Sequence, residues 1–220
     1  MLPTSSMPRA QHTIRRRPPK QERSRRLVEA IVEATRITLT ESGLDALTTV
    51  NVAQRAGVSV GSLYQYFAGR DALLLAVHED ELARAGRAWR AWRSERAAIP
   101  TRERIAEGLA LALAHYRNLA ALAPAFYLAH RDELRRALRP RRAREAAPAA
   151  LGGKDDLLRA RAVLKHERLE RVDAASFIVT RGITGLLEAA LAHQPEVLAT
   201  PEFEQELNAL VAGYLLRERD

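Results

Sequence analysis

The sequence contains no cysteine, only 5% aromatic residues and no long apolar run. The absence of cysteine excludes a disulfide scaffold, a thiolate metal site and a cysteine nucleophile. No stretch approaches the roughly 18 consecutive apolar residues of a membrane-spanning helix. The basic N-terminus is not followed by the apolar segment of a secretory signal. We therefore expect a cytoplasmic protein without a membrane span.

Alanine and leucine dominate the 220 residues, and hydrophobic residues make up 47% of them. This content is ample for a buried core and argues against global disorder. Because β-branched runs are short, the composition favours an all-α protein. The length allows one medium domain, or a small domain joined to a larger one.

Most of the net charge of +8 lies in the N-terminal third of the chain. Residues 1–70 hold 11 Lys and Arg against 5 Asp and Glu, whereas the other 150 residues hold 24 against 22. A local basic surplus attracts polyanions, and counterion release from a nucleic acid drives such binding. The charge alone leaves two interpretations open, a nucleic-acid partner and a solvated tail.

The chain is predicted to be a short arm followed by helices. Residues 1–20 contain four prolines and little apolar periodicity, which is typical of a flexible arm. The basic end of this arm either enters a DNA minor groove or is an unplaced tail. Prolines and glycines predict a loop with some helical turns over 139–154. The predicted helices span 21–42, 48–57, 60–67, 70 to beyond 92, 101–122, 124–138, 155–168, 171–193 and 201–217.

The segment TTVNVAQRAGVSVGSLYQYF, residues 48–67, places two short helical patterns around one glycine. Gly57 suits the positive φ that a tight turn requires. Two helices joined by such a turn form a helix-turn-helix unit, whose second helix lies in the DNA major groove. Leu63 is expected to point into the core beside Phe67, which leaves small and polar side chains facing outward. A helical hairpin with no role in DNA binding is the alternative.

The stretch TTVNVAQRAGVSVGSLYQYFAGRDALL resembles the DNA-binding signature of the TetR (tetracycline repressor) family. The resemblance is specific over about residues 23–83, with the helix-turn-helix motif over about 47–66, and only architectural beyond. It implies an N-terminal three-helix DNA-binding domain over 21–70 and a larger helical domain for effector binding and dimerisation over 71–220. The matching positions are Thr48, Thr49, Ala53, Gly57, Val58, Ser59, Gly61, Leu63, Tyr64, Tyr66, Phe67, Arg70, Asp71 and Leu73.

The resemblance implies a role in DNA binding for nine residues. Thr49 would contact phosphate at the start of the second helix, and Arg70 would hold a phosphate at the start of the fourth. Gln65 is the best candidate for a base contact, since its amide can pair bidentately with adenine. Val60 offers no hydrogen bond, so it would read sequence only by apolar contact or shape. The predicted set is Thr48, Thr49, Val60, Gly61, Ser62, Tyr64, Gln65, Tyr66 and Arg70.

The C-terminal part carries no catalytic motif such as H-E-x-x-H, G-x-S-x-G or a phosphate-binding glycine loop. We therefore predict no enzyme activity, no metal and no cofactor. The sequence HEDE at 78–81 has metal-ligand residue types, but its side chains fan around a helix and are expected to face solvent. The basic run 131–145 is either a second nucleic-acid site or a solvated helix face with interleaved carboxylates.

Ring-bearing residues on four predicted helices are candidates for an effector pocket. The family resemblance implies a helical bundle with an internal effector cavity, in which rings form apolar walls and polar tips orient a ligand. We expect a largely apolar small-molecule effector, and ordinary core packing is the alternative. Arg181 would neutralise an anionic effector or pair with a carboxylate. The candidates are Trp89, Trp92, His115, Tyr116, Phe126, Tyr127, His130, Phe177 and Arg181.

The last two predicted helices suggest a dimer interface. AASFIVTRGITGLLEAALAH carries small residues along an apolar helix, and FEQELNALVAGYLL repeats apolar positions at helical spacing. In the TetR family such a pair resembles half of a four-helix bundle that closes a two-fold dimer, and intramolecular core is the alternative. The candidates are Gly182, Gly185, Leu186, Phe203, Leu207, Leu210 and Tyr214.

Together these features predict a ligand-responsive transcriptional regulator, a repressor, that binds palindromic double-stranded operator DNA as a homodimer. A dimer fits this role because two recognition helices about 34 Å apart match successive major grooves. Two alternatives stay open, a non-specific architectural DNA-binding protein and a small-molecule enzyme or carrier.

Overall fold

The computed structural model describes residues 22–95, 101–145 and 172–216, and every regular element among them is helical. The all-α prediction is therefore confirmed for the described residues. The α-helices are α1 (Glu22–Ser42), α2 (Thr49–Arg55), α3 (Val60–Tyr66), α4 (Arg70–Glu95), α5 (Thr101–Ala121), α6 (Pro124–Glu145), α7 (Val172–His193) and α8 (Pro201–Leu215). A 3₁₀ helix, Pro195–Ala199, connects α7 to α8.

The chain divides into two compact units between Val77 and His78. This division falls inside α4, whereas the sequence predicted it near the first residue of that helix. The first two turns of α4 therefore belong to the N-terminal unit, because their apolar side chains are buried there. These buried side chains are Ala72, Leu73, Leu74, Leu75, Ala76 and Val77.

The N-terminal unit is built on α1, whose inner face packs against α2, while α2 in turn packs against α3. The inner face of α1 is apolar and is buried at Ile31, Ala34 and Leu39. Two threonines also lie in this buried face, and each hydroxyl donates to a carbonyl of its own helix. Thr35 Oγ1 donates to the Ile31 carbonyl and Thr38 Oγ1 to the Ala34 carbonyl, both at 2.8 Å. These bonds satisfy the hydroxyls, so burial leaves no unmade hydrogen bond there.

The C-terminal unit is organised around α5, which packs against α6, α7, α8 and the 3₁₀ helix. Arg117 on α5 fixes the start of α8 from two sides. Its Nε donates to the Leu198 carbonyl at 2.6 Å, and its Nη2 lies 3.0 Å from Glu204 Oε2. One side chain therefore joins three elements of this unit.

Helix α6 continues to Glu145, beyond its predicted end at Leu138, so residues 139–145 of the predicted loop with some helical turns are helical. A proline inside a helix removes one backbone hydrogen bond, and its ring crowds the preceding turn. Pro140 nevertheless lies within α6. The rest of the predicted loop, the predicted helix over 155–168 and the N-terminal arm lie outside the described residues.

Within the described ranges, none of the helices combines the length and the apolar character needed to cross a bilayer.

Candidate nucleic-acid interface

The turn between α2 and α3 is fixed by caps and by one left-handed residue. Thr48 Oγ1 accepts from the Asn51 amide at 3.1 Å, and Ser59 Oγ accepts from the Ser62 amide at 3.0 Å. Both hydroxyls satisfy amide groups that a helix start leaves without partners. Gly57 has φ of 68°, a conformation that disfavours residues with a Cβ. The predicted positive φ at this glycine is confirmed.

One face of α3 anchors the helix to the N-terminal unit. Leu63 and Phe67 are fully buried, as are Val52 and Ala53 on α2. The prediction that Leu63 points into the core beside Phe67 is confirmed. Because its inner face is held by apolar packing, α3 presents its remaining side chains as a rigid set.

The outer face of α3 is open and carries no charged residue. Gly61, Tyr64 and Gln65 are exposed, while Val60 and Ser62 are half-buried. A Cβ on Gly61 would have one neighbour within 4 Å, Ser59 Oγ at 3.9 Å. The first turn of α3 is therefore small and accessible, and Gln65 follows Gly61 one turn later on the same face.

Hydroxyl groups tie the outer face of α3 to its surroundings. Thr49 Oγ1 and Tyr64 OH share a hydrogen bond of 3.2 Å, and Ser59 Oγ and Ser62 Oγ share one of 2.8 Å. These bonds orient the hydroxyls while leaving each oxygen further hydrogen-bonding capacity. Tyr66 is half-buried at the end of the helix.

Arg70 is exposed at the first position of α4. Its guanidinium donates to the Leu44 carbonyl in the loop after α1. An arginine carries five donors, so this bond positions the group and leaves others for a phosphate. Arg55 is engaged differently, because its Nη1 lies 2.6 Å from Glu41 Oε2 and joins α2 to α1.

Val50 is an exposed apolar side chain that the sequence reading missed. It follows Thr49 on the short helix α2, where seven residues show too little periodicity to identify the outward positions.

Besides the two tryptophans, five of the predicted pocket residues lie in contacting pairs of rings in the C-terminal unit. Phe126 stacks on His130 with 4.0 Å between centroids, and His130 Nδ1 donates to the Phe126 carbonyl at 2.9 Å. The His78 ring is stacked on Phe126 with 6.0 Å between ring centroids, and it is tilted against Tyr127 with 5.6 Å between centroids. His115 and Tyr116 form an edge-on pair at 5.5 Å.

The prediction that the HEDE residues face solvent is wrong for His78, Glu79 and Glu81, which are 0%, 8% and 2% exposed. His78 is covered by the rings of α6. Glu81 Oε1 accepts from His115 Nδ1 at 3.1 Å and from Asn118 Nδ2 at 3.2 Å. Partners on α5 thus compensate the burial of this carboxylate. Within the described residues no group of three or more potential ligands could hold a metal ion.

The two tryptophans of the chain contact each other on α4, edge to face, with 5.2 Å between ring centroids. Trp92 Nε1 donates to Glu107 Oε2 at 2.9 Å, and the Arg104 guanidinium lies 4.9 Å from the Trp92 ring centre. A Cβ on Gly108 would lie 3.6 Å from the Trp92 ring and 3.7 Å from that of Trp89. The absent side chain at this glycine lets both rings approach α5 closely.

Phe177 and Arg181 lie elsewhere, on the exposed side of α7, with the guanidinium 6.0 Å from the ring centre. Phe177 is 53% exposed, and Arg181 is also exposed. This exposure contradicts the prediction that the two residues line an internal pocket.

Most of the predicted dimer-interface residues are exposed on α7 and α8. Leu207 is the exception, because it is 4% exposed and belongs to the core of its own chain. Phe203 is half-buried. The prediction of an interface role for Leu207 is therefore wrong, since the inward face of α8 packs on α5. The exposed members are Gly182, Gly185, Leu186, Leu210 and Tyr214.

The capped turn, the anchored inner face and the open outer face of α3 together define a helix-turn-helix DNA-binding domain. Residues 31–77 match the family model described as bacterial regulatory proteins, tetR family. The N-terminal part of the chain therefore carries a DNA-binding domain of the type that this family model describes.

One relative matches a short stretch of the chain. A stretch of 46 residues is 44% identical to the HTH-type transcriptional regulator BetI of Paraburkholderia phymatum, covering 21% of this chain and 24% of BetI. The chain thus matches about a quarter of the length of that relative.

Solved structures share the fold over most of the chain. A protein of Mesorhizobium loti assigned to the tetR family is 17% identical, with a TM-score of 0.63 over 89% of this chain and 98% of that one. RolR in complex with its ligand resorcinol is 21% identical, with a TM-score of 0.52 over 88% and 89%.

Proposed function

We propose that the protein is a homodimeric transcriptional repressor that binds a palindromic operator and is released by a small-molecule effector. The observation that carries this proposal is the rigidly anchored α3 with its small, uncharged outer face. Such a helix can enter a major groove and approach base edges closely. Because the proposed binding partner is chromosomal DNA, the protein would act in the cytoplasm.

In this proposal α3 reads bases and its neighbours hold the DNA backbone. The first turn, with Val60, Gly61 and Ser62, faces the groove, and Gln65 pairs with a base, adenine by its hydrogen-bonding pattern. The hydroxyls of Thr48, Thr49, Tyr64 and Tyr66 and the guanidinium of Arg70 contact phosphates. Phosphate contacts position the protein, and base contacts select the sequence.

The exposed apolar side chains of α7 and α8 support a homodimer. Gly182, Gly185 and Gly213 add to this surface, since a Cβ on any of them would meet nothing within 4 Å. A two-fold dimer would bury this surface and present two copies of α3 about 34 Å apart. The side chains proposed to meet across the two-fold axis are Phe177, Ile178, Leu186, Leu210 and Tyr214.

The ring-bearing residues of the C-terminal unit support an effector site. The structure groups His78, Phe126, Tyr127 and His130, and His115 lies in a separate buried pair with Tyr116. RolR, which shares the fold, has resorcinol as its ligand, so we propose an effector that is small and largely apolar. Helix α4 belongs to both units. Its movement on effector binding would change the spacing of the two helix-turn-helix domains in the dimer. The effector must bind the state without DNA more tightly, since equal affinity shifts no equilibrium.

A DNA titration at fixed salt tests the proposal. Labelled duplexes from the region upstream of the coding sequence and scrambled duplexes of equal length are titrated with the protein, and anisotropy is read. A regulator prefers one palindrome by roughly 10³-fold or more over scrambled DNA. Equal affinity for all duplexes would instead identify a non-specific architectural protein, and no binding at all would refute a DNA-directed role.

A further inference from the structure

One charged residue lies among the exposed apolar side chains of α7, and another lies near those of α8. Arg181 is adjacent to Gly182 on α7 and one turn from Ile178, and Glu206 precedes Leu210 by one turn on α8. All of these residues except Gly182 are exposed side chains, and Gly182 itself is open to solvent. Each charge therefore lies inside the surface that the proposed dimer would cover.

Both charges lack a partner of opposite charge within the described part of the chain. No ion pair joins Arg181 or Glu206 to another described residue, and Arg181 instead lies over the Phe177 ring. Other charges of the same unit are paired, such as Arg117 with Glu204 at 3.0 Å and Arg131 with Glu188 at 3.9 Å. Arg181 and Glu206 are thus available to a second molecule.

Burying either charge without a counter-charge would oppose association, because a desolvated ion needs a partner of opposite sign. An isologous interface brings the same surface of two subunits together, so a residue on α7 can meet a residue on the partner's α8, and the reverse. A surface that carries one cation and one anion is then complementary to itself.

We infer that Arg181 of one protomer forms an ion pair with Glu206 of a second copy of this chain, and that the two-fold axis repeats this pair. The inference rests on the proposed homodimer and identifies the ion pair that would align its two subunits. Apolar contacts alone tolerate sliding along a helix, whereas two ion pairs related by symmetry fix one register and one choice of partner.

Glu206 is assigned in preference to Glu202 for two reasons. Glu202 lies in the first turn of α8, where the partial positive charge of the helix N-terminus already stabilises a carboxylate. It is also two turns from Leu210, whereas Glu206 is one turn away. Glu206 therefore lies nearer to the apolar centre of the surface.

Charge reversal with mixed subunits tests the pair. The variants R181E and E206R, each full-length, are studied alone and as an equimolar mixture by sedimentation velocity and native mass spectrometry. Alone, each variant places like charges at both pairs, and we expect its dimer dissociation constant to rise on the order of 100-fold. In the mixture both pairs become Glu with Arg, so we expect heterodimers at close to wild-type affinity.

The variant E202R is the matched control, and circular dichroism confirms that every variant is folded. A mixture of R181E with E202R should form no heterodimer in excess of the statistical fraction. If R181E and E206R fail to rescue each other while the wild type is a dimer, the ion pair is refuted and the homodimer stands. Rescue by E202R would refute Glu206 as the partner. A monomeric wild type would refute the homodimer itself.

Discussion

The hydroxyl groups of Thr49 and Tyr64 share a hydrogen bond of 3.2 Å that joins the first residue of α2 to the middle of α3. The two residues are 15 positions apart, and both face the side of the domain proposed to contact DNA. The bond therefore couples the groups proposed to hold the DNA backbone to the helix proposed to read bases.

Replacing Tyr64 with Phe should weaken binding to all duplexes alike. The change removes the bond to Thr49 and leaves the ring, so the loss should be about 1 kcal/mol, or roughly fivefold in affinity. The ratio of operator to scrambled affinity should stay constant. A double-mutant cycle with Thr49→Val measures the coupling, and strictly additive losses would show that the bond does not contribute.

Replacing Gln65 with Ala should reduce discrimination rather than overall affinity. A bidentate base contact is worth about 1–3 kcal/mol against the wrong base pair, so operator preference should fall by roughly 5- to 150-fold at one position of each half-site. Binding to a panel of single-base operator variants measures this change. Gln194→Ala is the matched control, because Gln194 is exposed in the C-terminal unit and makes no side-chain cap bond. An unchanged base preference in the Gln65 variant would remove this residue from base reading.

Replacing Gly57 or Gly61 of the helix-turn-helix with alanine should change the free energy of unfolding in opposite directions. At Gly57 the φ of 68° is strained for any residue with a Cβ, so Gly57→Ala should lower the free energy of unfolding by about 1–2 kcal/mol. At Gly61 the backbone is helical and the space is open, so alanine should raise stability by up to about 1 kcal/mol. The added methyl should nevertheless lower operator affinity about tenfold, because it fills the gap through which α3 approaches the bases. Urea unfolding and anisotropy on the same samples check both effects, and a Gly61→Ala variant with full affinity would contradict the close approach.

The buried Glu81 and His115 pair should show strong non-additivity. His115→Leu keeps the bulk but removes one of the donors to the buried Glu81 carboxylate, which should cost about 3–5 kcal/mol of unfolding free energy. The double variant Glu81→Leu, His115→Leu should be more stable than this single variant, since apolar replacement of a whole buried pair is often neutral. His193→Leu, at an exposed position on α7, is the control and should change stability by less than about 0.5 kcal/mol. A single variant as stable as the wild type would show that the pair is not structurally important.

The helix-turn-helix, α2 and α3 with the turn between them, could be predicted closely from sequence because the interactions that form it are local. The predicted turn at Gly57 and the predicted inward Leu63 depend on neighbours within a few positions, and so do the caps that the structure shows at Thr48 and Ser59. The burial of Glu81 could not be predicted in this way. Its partner His115 is 34 positions away on α5, and only tertiary packing brings the two together.

Leu207 and Leu210 illustrate the same limit within one helix. Both fit the apolar spacing of α8, yet one is 4% exposed and the other 58%. Which side of an apolar helix faces its own chain is decided by α5, and the sequence of α8 alone does not contain that information. The charges of the outward stripe, by contrast, follow directly from helical spacing once the inward face is known.

The pairing of Trp89 with Trp92 gives the protein a built-in optical probe confined to one of its two units. Indole emission responds to polarity and to nearby carboxylates. This signal therefore reports on the surroundings of α4 and α5 and does not report on α3. A shift in emission when operator DNA is added would therefore report a change in the C-terminal unit, although the proposed DNA contacts lie in the N-terminal unit. The same label-free signal, followed during titration with candidate small molecules, would rank them without modifying the chain.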